Sequence, residues 1–225
     1  MRPRTARSGF TLLELLIVMS LVAILAGVIV PATGSMIRSQ GRRATVDEME
    51  LLSEAVQEYY RDTRQFPSSP LDLLSNATSG WSGPYLRGTV DDPWSGQSGY
   101  AVDGFGNAYT FAASGYELTV TSDGPDRTNA TADDLSLVVN VTPILRGMTL
   151  EELAVINTAI TQYNAIHLGT SPLPGSYPAA LSILESAGFL PLGAGYDLDE
   201  FGDAYTGLPV GLSPMTQATS VNVGP

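Results

Sequence analysis

The sequence contains no cysteine, no lysine and a single histidine, His167. Without cysteine, no disulfide can staple an exported fold. Without cysteine and with one histidine, the ligand sets that zinc prefers are missing, as is a Cys/His nucleophile pair. Without lysine, all 11 basic residues are arginines, set against 23 acidic residues, for a net charge of −12. So acidic a chain repels phosphate backbones, which excludes nucleic acid as a partner and favours cations or a basic protein face. No serine sits in a convincing nucleophile arrangement around His167. GFGNAY lacks the preceding buried strand that a phosphate-cradling loop needs. Asp197, Asp199, Glu200 and Asp203 fall in a glycine-rich turn that reads as solvated. The chain is therefore read as having no catalytic activity.

The long apolar run lies at the start. From Phe10 to Val30 the only polar side chains are Thr11, Glu14 and Ser20, and about 20 apolar residues in a helix span a bilayer core. Arg2, Arg4 and Arg7 precede the run, which places that end in the cytoplasm and the rest outside. A cleaved secretory signal peptide is the alternative, but the run is long for its apolar core and contains Glu14. An ionised carboxylate in hydrocarbon costs on the order of a few kcal/mol. Arg7 is badly spaced to neutralise it on one helix face. A cut between Gly9 and Phe10 would create an ammonium on Phe10 that could meet Glu14 of a neighbouring copy.

Gly9, then Phe10-Thr11-Leu12-Leu13-Glu14, then an unbroken apolar helix with Pro31 in its expected place resembles the class III leader of type IV pilins and type II secretion pseudopilins. The resemblance implies cleavage after Gly9 by a prepilin peptidase and N-methylation of Phe10. It also implies subunit assembly through Glu14, with Pro31 loosening the helix.

Beyond Pro31, Gly34 and Gly41 weaken the helix. TVDEMELLSEAVQEYYRDTR then reads as an amphipathic helix, with Met49, Leu52, Val56 and Tyr59 on one stripe and Thr45 with Glu48 as a capping box. This segment has an echo. Thr45–Tyr60 aligns without gaps to Thr149–Asn164, and Thr45, Glu48, Ala55 and Tyr59 match Thr149, Glu152, Ala159 and Tyr163. Phe66-Pro67 with Leu71 and Leu74 is echoed by Tyr177-Pro178 with Leu181 and Leu184. YAVDGFGNAYT is echoed by YDLDEFGDAYT. Three blocks in one order imply an internal duplication of a helix–loop–hairpin module, with a boundary near Gly147.

Between the copies, Tyr116, Leu118 and Val120, then Leu135, Leu137 and Val139, alternate as strands do. Residues 123–134 between them hold Asp123, Asp126, Asp133 and Asp134, drawn together by the Gly124-Pro125 turn. An oxygen-rich loop without histidine or cysteine suits calcium, although EF-hand spacing is absent. Gly83-Pro84-Tyr85-Leu86-Arg87, Asp92-Pro93-Trp94, Ser122-Asp123-Gly124-Pro125-Asp126 and Asp133-Asp134-Leu135 resemble the protein G-type major pseudopilins of type II secretion. That resemblance implies structural calcium held by Asp126, Asp133 and Asp134, with main-chain carbonyls near Val120 and Asp123. Calcium would then stand in for the missing disulfides. The second copy has no paired aspartates, and such pseudopilins normally end soon after the calcium loop.

The expected fold is α+β: a long membrane-spanning helix continuing into a pilin-like head with a small antiparallel sheet, followed by a second, duplicated helix-plus-hairpin module. The expected divisions are a leader over 1–9, a transmembrane assembly helix over 10–34, a head over 35–147 and the second module over 148–225. The function implied is a subunit of a pseudopilus that drives protein export across the outer membrane. The alternative is a surface pilin for adhesion or motility. The implied partners are further copies in a helical filament, the prepilin peptidase, an inner-membrane platform protein, an assembly ATPase and other minor pseudopilins. The implied location is the inner membrane, with a cytoplasmic amino terminus and a periplasmic head. The extra module would cap such a filament or decorate its side.

Overall fold

A computed structural model of the chain describes residues 11–86, 99–167 and 169–223, apart from the side chains of 26–33. Gly9, Phe10, the side chain of Pro31 and the Asp92-Pro93-Trp94 turn lie outside the described residues. Helix α1 runs unbroken over Leu12–Thr63. Thr11 caps it, its hydroxyl accepting the Glu14 N–H at 3.3 Å. Arg64 ends it in the left-handed region at φ 58°, its own N–H returning to the Tyr60 carbonyl, the usual way a helix satisfies its last carbonyls. The described residues contain no helix long and apolar enough to cross a membrane. The side chains described at the start of α1, Thr11 to Leu25, are all exposed, Leu12 at 83 %.

Gly34 and Gly41, expected to weaken α1, interrupt nothing. Gly41 is buried, and a Cβ there would lie 2.5 Å from the Phe105 ring, so close packing calls for glycine at this position. Nor do Thr45 and Glu48 form a capping box. They lie in the interior of α1, where Thr45 is fully buried and donates to the Gly41 carbonyl at 2.9 Å.

After α1, a 3₁₀ turn at Pro70–Leu73 leads towards an antiparallel meander of β1 (Thr110–Ser114), β2 (Glu117–Ser122) and β3 (Leu135–Asn140). Alternation on β2 sends Leu118 and Val120 inward onto Met49, Leu52 and Val56 of α1. Each such side chain buried contributes about 1.5–3 kcal/mol. Helix α2 (Thr142–His167) follows β3 directly. Gly147, where the module boundary was expected, therefore lies inside a helix, and the break between elements falls at Val141. Helix α3 (Tyr177–Ser186) and a hairpin of β4 (Thr206–Leu208) and β5 (Gln217–Thr219) complete the chain. Ile156, Ile160, Tyr163, Leu173, Leu184, Tyr205 and Met215 form the core of this second unit. Exposure repeats position for position between residues 45–56 and 149–160.

The two units touch through a third cluster. Tyr60, Val141 and Leu145 are buried there, with Phe201 packed against them. Phe201 stands edge-on to Tyr116, ring centres 5.5 Å apart. Arg64 grips Glu200 with two parallel bonds of 2.7 Å, the fork geometry that suits guanidinium and carboxylate.

Candidate metal loop and two aspartate clasps

The loop between β2 and β3 folds back on itself at Gly124, whose φ is +64°. A Cβ at Gly124 would run into the Asp133 carbonyl at 2.6 Å, so the turn requires glycine there. The fold brings together one carboxylate oxygen each from Asp126, Asp133 and Asp134, all within 4.8 Å of one another. Asp133 accepts the Asp126 N–H at 3.3 Å, and Asp134 accepts those of Ala130 at 2.8 Å and Thr131 at 3.3 Å.

Thr131 sits in the middle. Its hydroxyl lies 3.4 Å from Asp126 Oδ1, 3.0 Å from the Thr128 carbonyl, 2.9 Å from Asp133 Oδ1 and 3.0 Å from Asp134 Oδ1. One hydroxyl has one proton, so most of these oxygen pairs face one another without a hydrogen between them. Such a cage of hard oxygens fits calcium. The Thr131 hydroxyl is the first cause holding Asp133 below the usual carboxylate range. The sequence reading did not single out Thr131; its only signal was a hydroxyl close to Asp133-Asp134.

Two further expected ligands were main-chain carbonyls, near Val120 and Asp123. Val120 is in the middle strand, paired with Phe111 on one side and Leu137 on the other, so its main chain belongs to the ladder. The Asp123 carboxylate accepts a bond from Asn129 at 3.2 Å. Glu14 is exposed in the first turn of α1.

Beside the loop is a clasp built on Asp103, which is 4 % exposed. Asp103 Oδ1 accepts the N–H groups of Phe105 at 2.9 Å and Asn107 at 2.7 Å; Oδ2 accepts the Ser122 hydroxyl. The Gly104 N–H donates to Thr45 at 3.0 Å, and the Tyr109 hydroxyl donates to Glu48 at 2.8 Å. Asn107 Nδ2 reaches the Gly124 carbonyl at 2.7 Å and Arg127 the Phe105 carbonyl at 3.2 Å. The clasp thus ties the β2–β3 loop to α1.

The second unit has the same clasp. Asp199, 5 % exposed, accepts from Phe201 at 3.0 Å, Asp203 at 2.9 Å, Ser220 at 2.5 Å and Asn222 at 2.8 Å. The Glu200 N–H donates to Thr149 at 3.3 Å and Tyr205 to Glu152 at 2.7 Å. Thr110 pairs with Thr121 in the first hairpin and Thr206 with Thr219 in the second. Asp199 is therefore no solvated turn residue, because its buried charge is met by four hydrogens. Burial pushes its carboxyl up, but the bonds from Ser220, Asn222 and the backbone outweigh burial and hold it low. Glu48 and Glu152 go the other way, raised chiefly by burial. His167 ends α2 and stacks on Tyr163 with ring centres 4.3 Å apart.

Residues 4–30 match the family described as prokaryotic N-terminal methylation motif, and residues 33–141 match that described as type II secretion system (T2SS), protein G. Residues 33–141, just under half of the chain, are thus similar to protein G of type II secretion, behind a methylation motif over 4–30. Among the proteins similar to the chain is the type II secretion system core protein G of Pectobacterium carotovorum subsp. carotovorum, 28 % identical over 138 residues. That alignment covers 56 % of this chain and 81 % of the relative. The core protein G of Escherichia coli (strain K12) is 26 % identical over 149 residues, 60 % of this chain and 94 % of the relative. A fimbrial protein of Neisseria meningitidis is 37 % identical over 87 residues, 37 % of this chain and 49 % of that protein. No solved structure matches the chain. Both matched family regions end by residue 141, at the junction between β3 and α2.

Proposed function

We propose that the chain is a structural pseudopilin subunit of a type II secretion pseudopilus, polymerising through α1 to drive protein export across the outer membrane. The observation that carries this reading is the protein G match over 33–141, directly behind a methylation motif over 4–30. The exposed run from Leu12 to Leu25 supports it. A row of uncovered leucine, isoleucine and valine needs lipid or neighbouring helices around it. In this reading the segment over 10–34 spans the inner membrane, with the amino terminus cytoplasmic and the head periplasmic. A prepilin peptidase cuts after Gly9, Phe10 is methylated, and its amine pairs with Glu14 of the next subunit. A platform protein and an assembly ATPase add subunits, alongside minor pseudopilins.

Asp126, Asp133 and Asp134, with the Thr131 hydroxyl, would hold calcium, which would neutralise their crowded charges and close the loop. The second unit, with its matching clasp, hairpin register and burial pattern, is read as a duplicated head without its own metal loop. A surface pilin is the competing reading, supported by the fimbrial relative, whose alignment covers 49 % of that protein.

Deleting the gene and comparing secreted proteins tests the choice. Exoenzymes accumulating in the periplasm are the expected result. An unchanged medium with surface fibres lost would overturn the secretion reading.

A further inference from the structure

Helix α2 meets the end of the chain along a single line of side chains. Arg146, Asn157 and Asn164 stand eleven and then seven residues apart in α2. At 3.6 residues per turn those steps are close to three turns and two, so the three project from one line. Along it, Arg146 Nε donates to the Asn222 carbonyl at 3.1 Å, Asn157 Nδ2 to the Ala218 carbonyl at 3.2 Å and Asn164 Nδ2 to the Met215 carbonyl at 2.9 Å. Helix and strand run in opposite directions. The spacing also fits: seven helical residues rise about 10 Å, and three strand residues, from Ala218 back to Met215, advance about 10 Å. Asn157 does more than donate, because its Oδ1 also accepts the Ala218 N–H at 2.7 Å. Its carboxamide thus makes the pair of bonds that a neighbouring strand would make to Ala218.

The first unit shows what that place otherwise holds. By the shared hairpin register, Ala218 corresponds to Val120. Val120 is paired on its far side with Leu137 of β3, and β3 is the strand lying closest along α1. The second unit has no such strand among the described residues: β5 pairs with β4 alone and itself lies closest along α2. The helix residues change to match. Asn157 and Asn164 stand where α1 has Ser53 and Tyr60. A lone serine hydroxyl cannot span the N–H and C=O of one strand residue as a carboxamide does, and Tyr60 packs in the cluster between the units. An unpaired strand edge is a template for association, which proteins blunt with charges, proline or bulges. The run from Thr216 to Ser220 contains no charged residue and no proline.

We propose that Asn157 is a latch that closes the β5 edge against strand addition by another chain, with Arg146 and Asn164 holding the chain to α2 on either side of it. The carboxamide occupies the hydrogen-bonding places that β3 fills in the first unit. The second sheet therefore stops at two strands without leaving Ala218 open. The latch is independent of the secretion reading, since it rests on contacts within the second unit.

The test uses the full-length chain purified in detergent. Hydrogen exchange at the Ala218 amide should be slow in the parent, although no strand flanks that edge among the described residues. In Asn157→Ser, which carries the first unit's residue, exchange should quicken by about tenfold, roughly what one hydrogen bond supplies. A fluorescent peptide with the β3 sequence LSLVVN should bind that variant about tenfold more tightly than the parent, read by anisotropy. The same peptide methylated on its backbone nitrogens should show no such preference. Thr158→Ala, at the next and exposed position of α2, should behave as the parent does in both assays. An Ala218 amide that exchanges freely in the parent would overturn the latch, as would exchange or peptide binding unchanged in N157S. Loss of the second unit's melting in that variant would overturn it too, by making Asn157 a support of the core rather than of the edge. A preference kept by the methylated peptide would show an apolar surface being read instead of the edge, with the same consequence. None of these results bears on the pseudopilin reading, which the secretion experiment decides.

Discussion

Asp199 and Glu152 lie within one clasp but respond to pH in opposite senses. The folded pKa of Asp199 lies below its unfolded value. Its contribution to stability is thus present above the unfolded value, about 4, and is lost as pH falls through the folded one. Glu152 is raised, so its contribution is present below its unfolded value and is lost as pH rises through the folded one. Thermal melts between about pH 3 and pH 8 should show the deficit of Asp199→Asn largest near neutrality and closing in acid. Any deficit of Glu152→Gln should be largest in acid and shrink towards neutrality. Deficits flat across that range would contradict this account. Glu14 makes a different case: it stands exposed near the start of α1, so Glu14→Ala should leave the melting of the purified chain unchanged. In cells the processed subunit should stay in the membrane and assemble poorly; normal filaments from that variant would refute the pairing with the cleaved amine. The three loop aspartates were legible in the sequence because they cluster within a few residues. Thr45 and Glu48 were not read correctly, because a T-x-x-E spacing looks local. Their real partners, Gly104 and Tyr109, arrive 59 and 61 residues later.

The same long-range logic governs the glycines of α1. A Cβ on Gly34 would meet nothing within 4 Å, whereas one on Gly104 would drive into the Gly41 carbonyl. Gly34→Ala should therefore stabilise the helix by up to about 1 kcal/mol. Gly104→Ala should cost about 1–3 kcal/mol through overpacking against unyielding backbone. Circular-dichroism melts of the two variants against the parent would decide; equal shifts of one sign would mean that helix propensity, not contact, governs both. In the second unit the corresponding residues are Leu145 and Glu200, and the space between helix and turn is filled there by larger side chains. Strands β2 and β3 were readable from alternation alone. The start of α2 was not, because Pro143 and Gly147 suggest a break. Proline fits the first turn of a helix, where its missing N–H is no loss, and Gly147 is exposed and free of neighbours. The pairing of Arg64 with Glu200 across 136 residues has no sequence signal at all, since neither residue has a charged counterpart in the other repeat.

At the scale of the molecule the two units share a clasp, a hairpin register and a core pattern, but one of them carries the oxygen cage. The repeat was visible because the clasp depends on short-range identities such as D-x-F-G-x-A-Y-T. How the units meet was not visible, because Tyr60, Tyr116 and Phe201 converge only in three dimensions. The asymmetry predicts how calcium should act. A ligand that binds only the folded state stabilises it by about 2.7 kcal/mol at a hundredfold excess over its Kd, so calcium should raise the melting temperature of the head that holds the loop. Asp134→Ala should abolish that rise. Asp199→Asn should lower stability yet keep the calcium response, because its clasp braces β4 and β5 rather than the loop. Asn107→Ala should weaken the response without removing a ligand, since Asn107 ties the Gly124 carbonyl at the foot of the loop. Calorimetry of the parent and the three variants, with calcium and with chelator, separates these outcomes. A parent whose melting is indifferent to calcium would remove the metal from the account and leave Thr131 alone to hold the three carboxylates together.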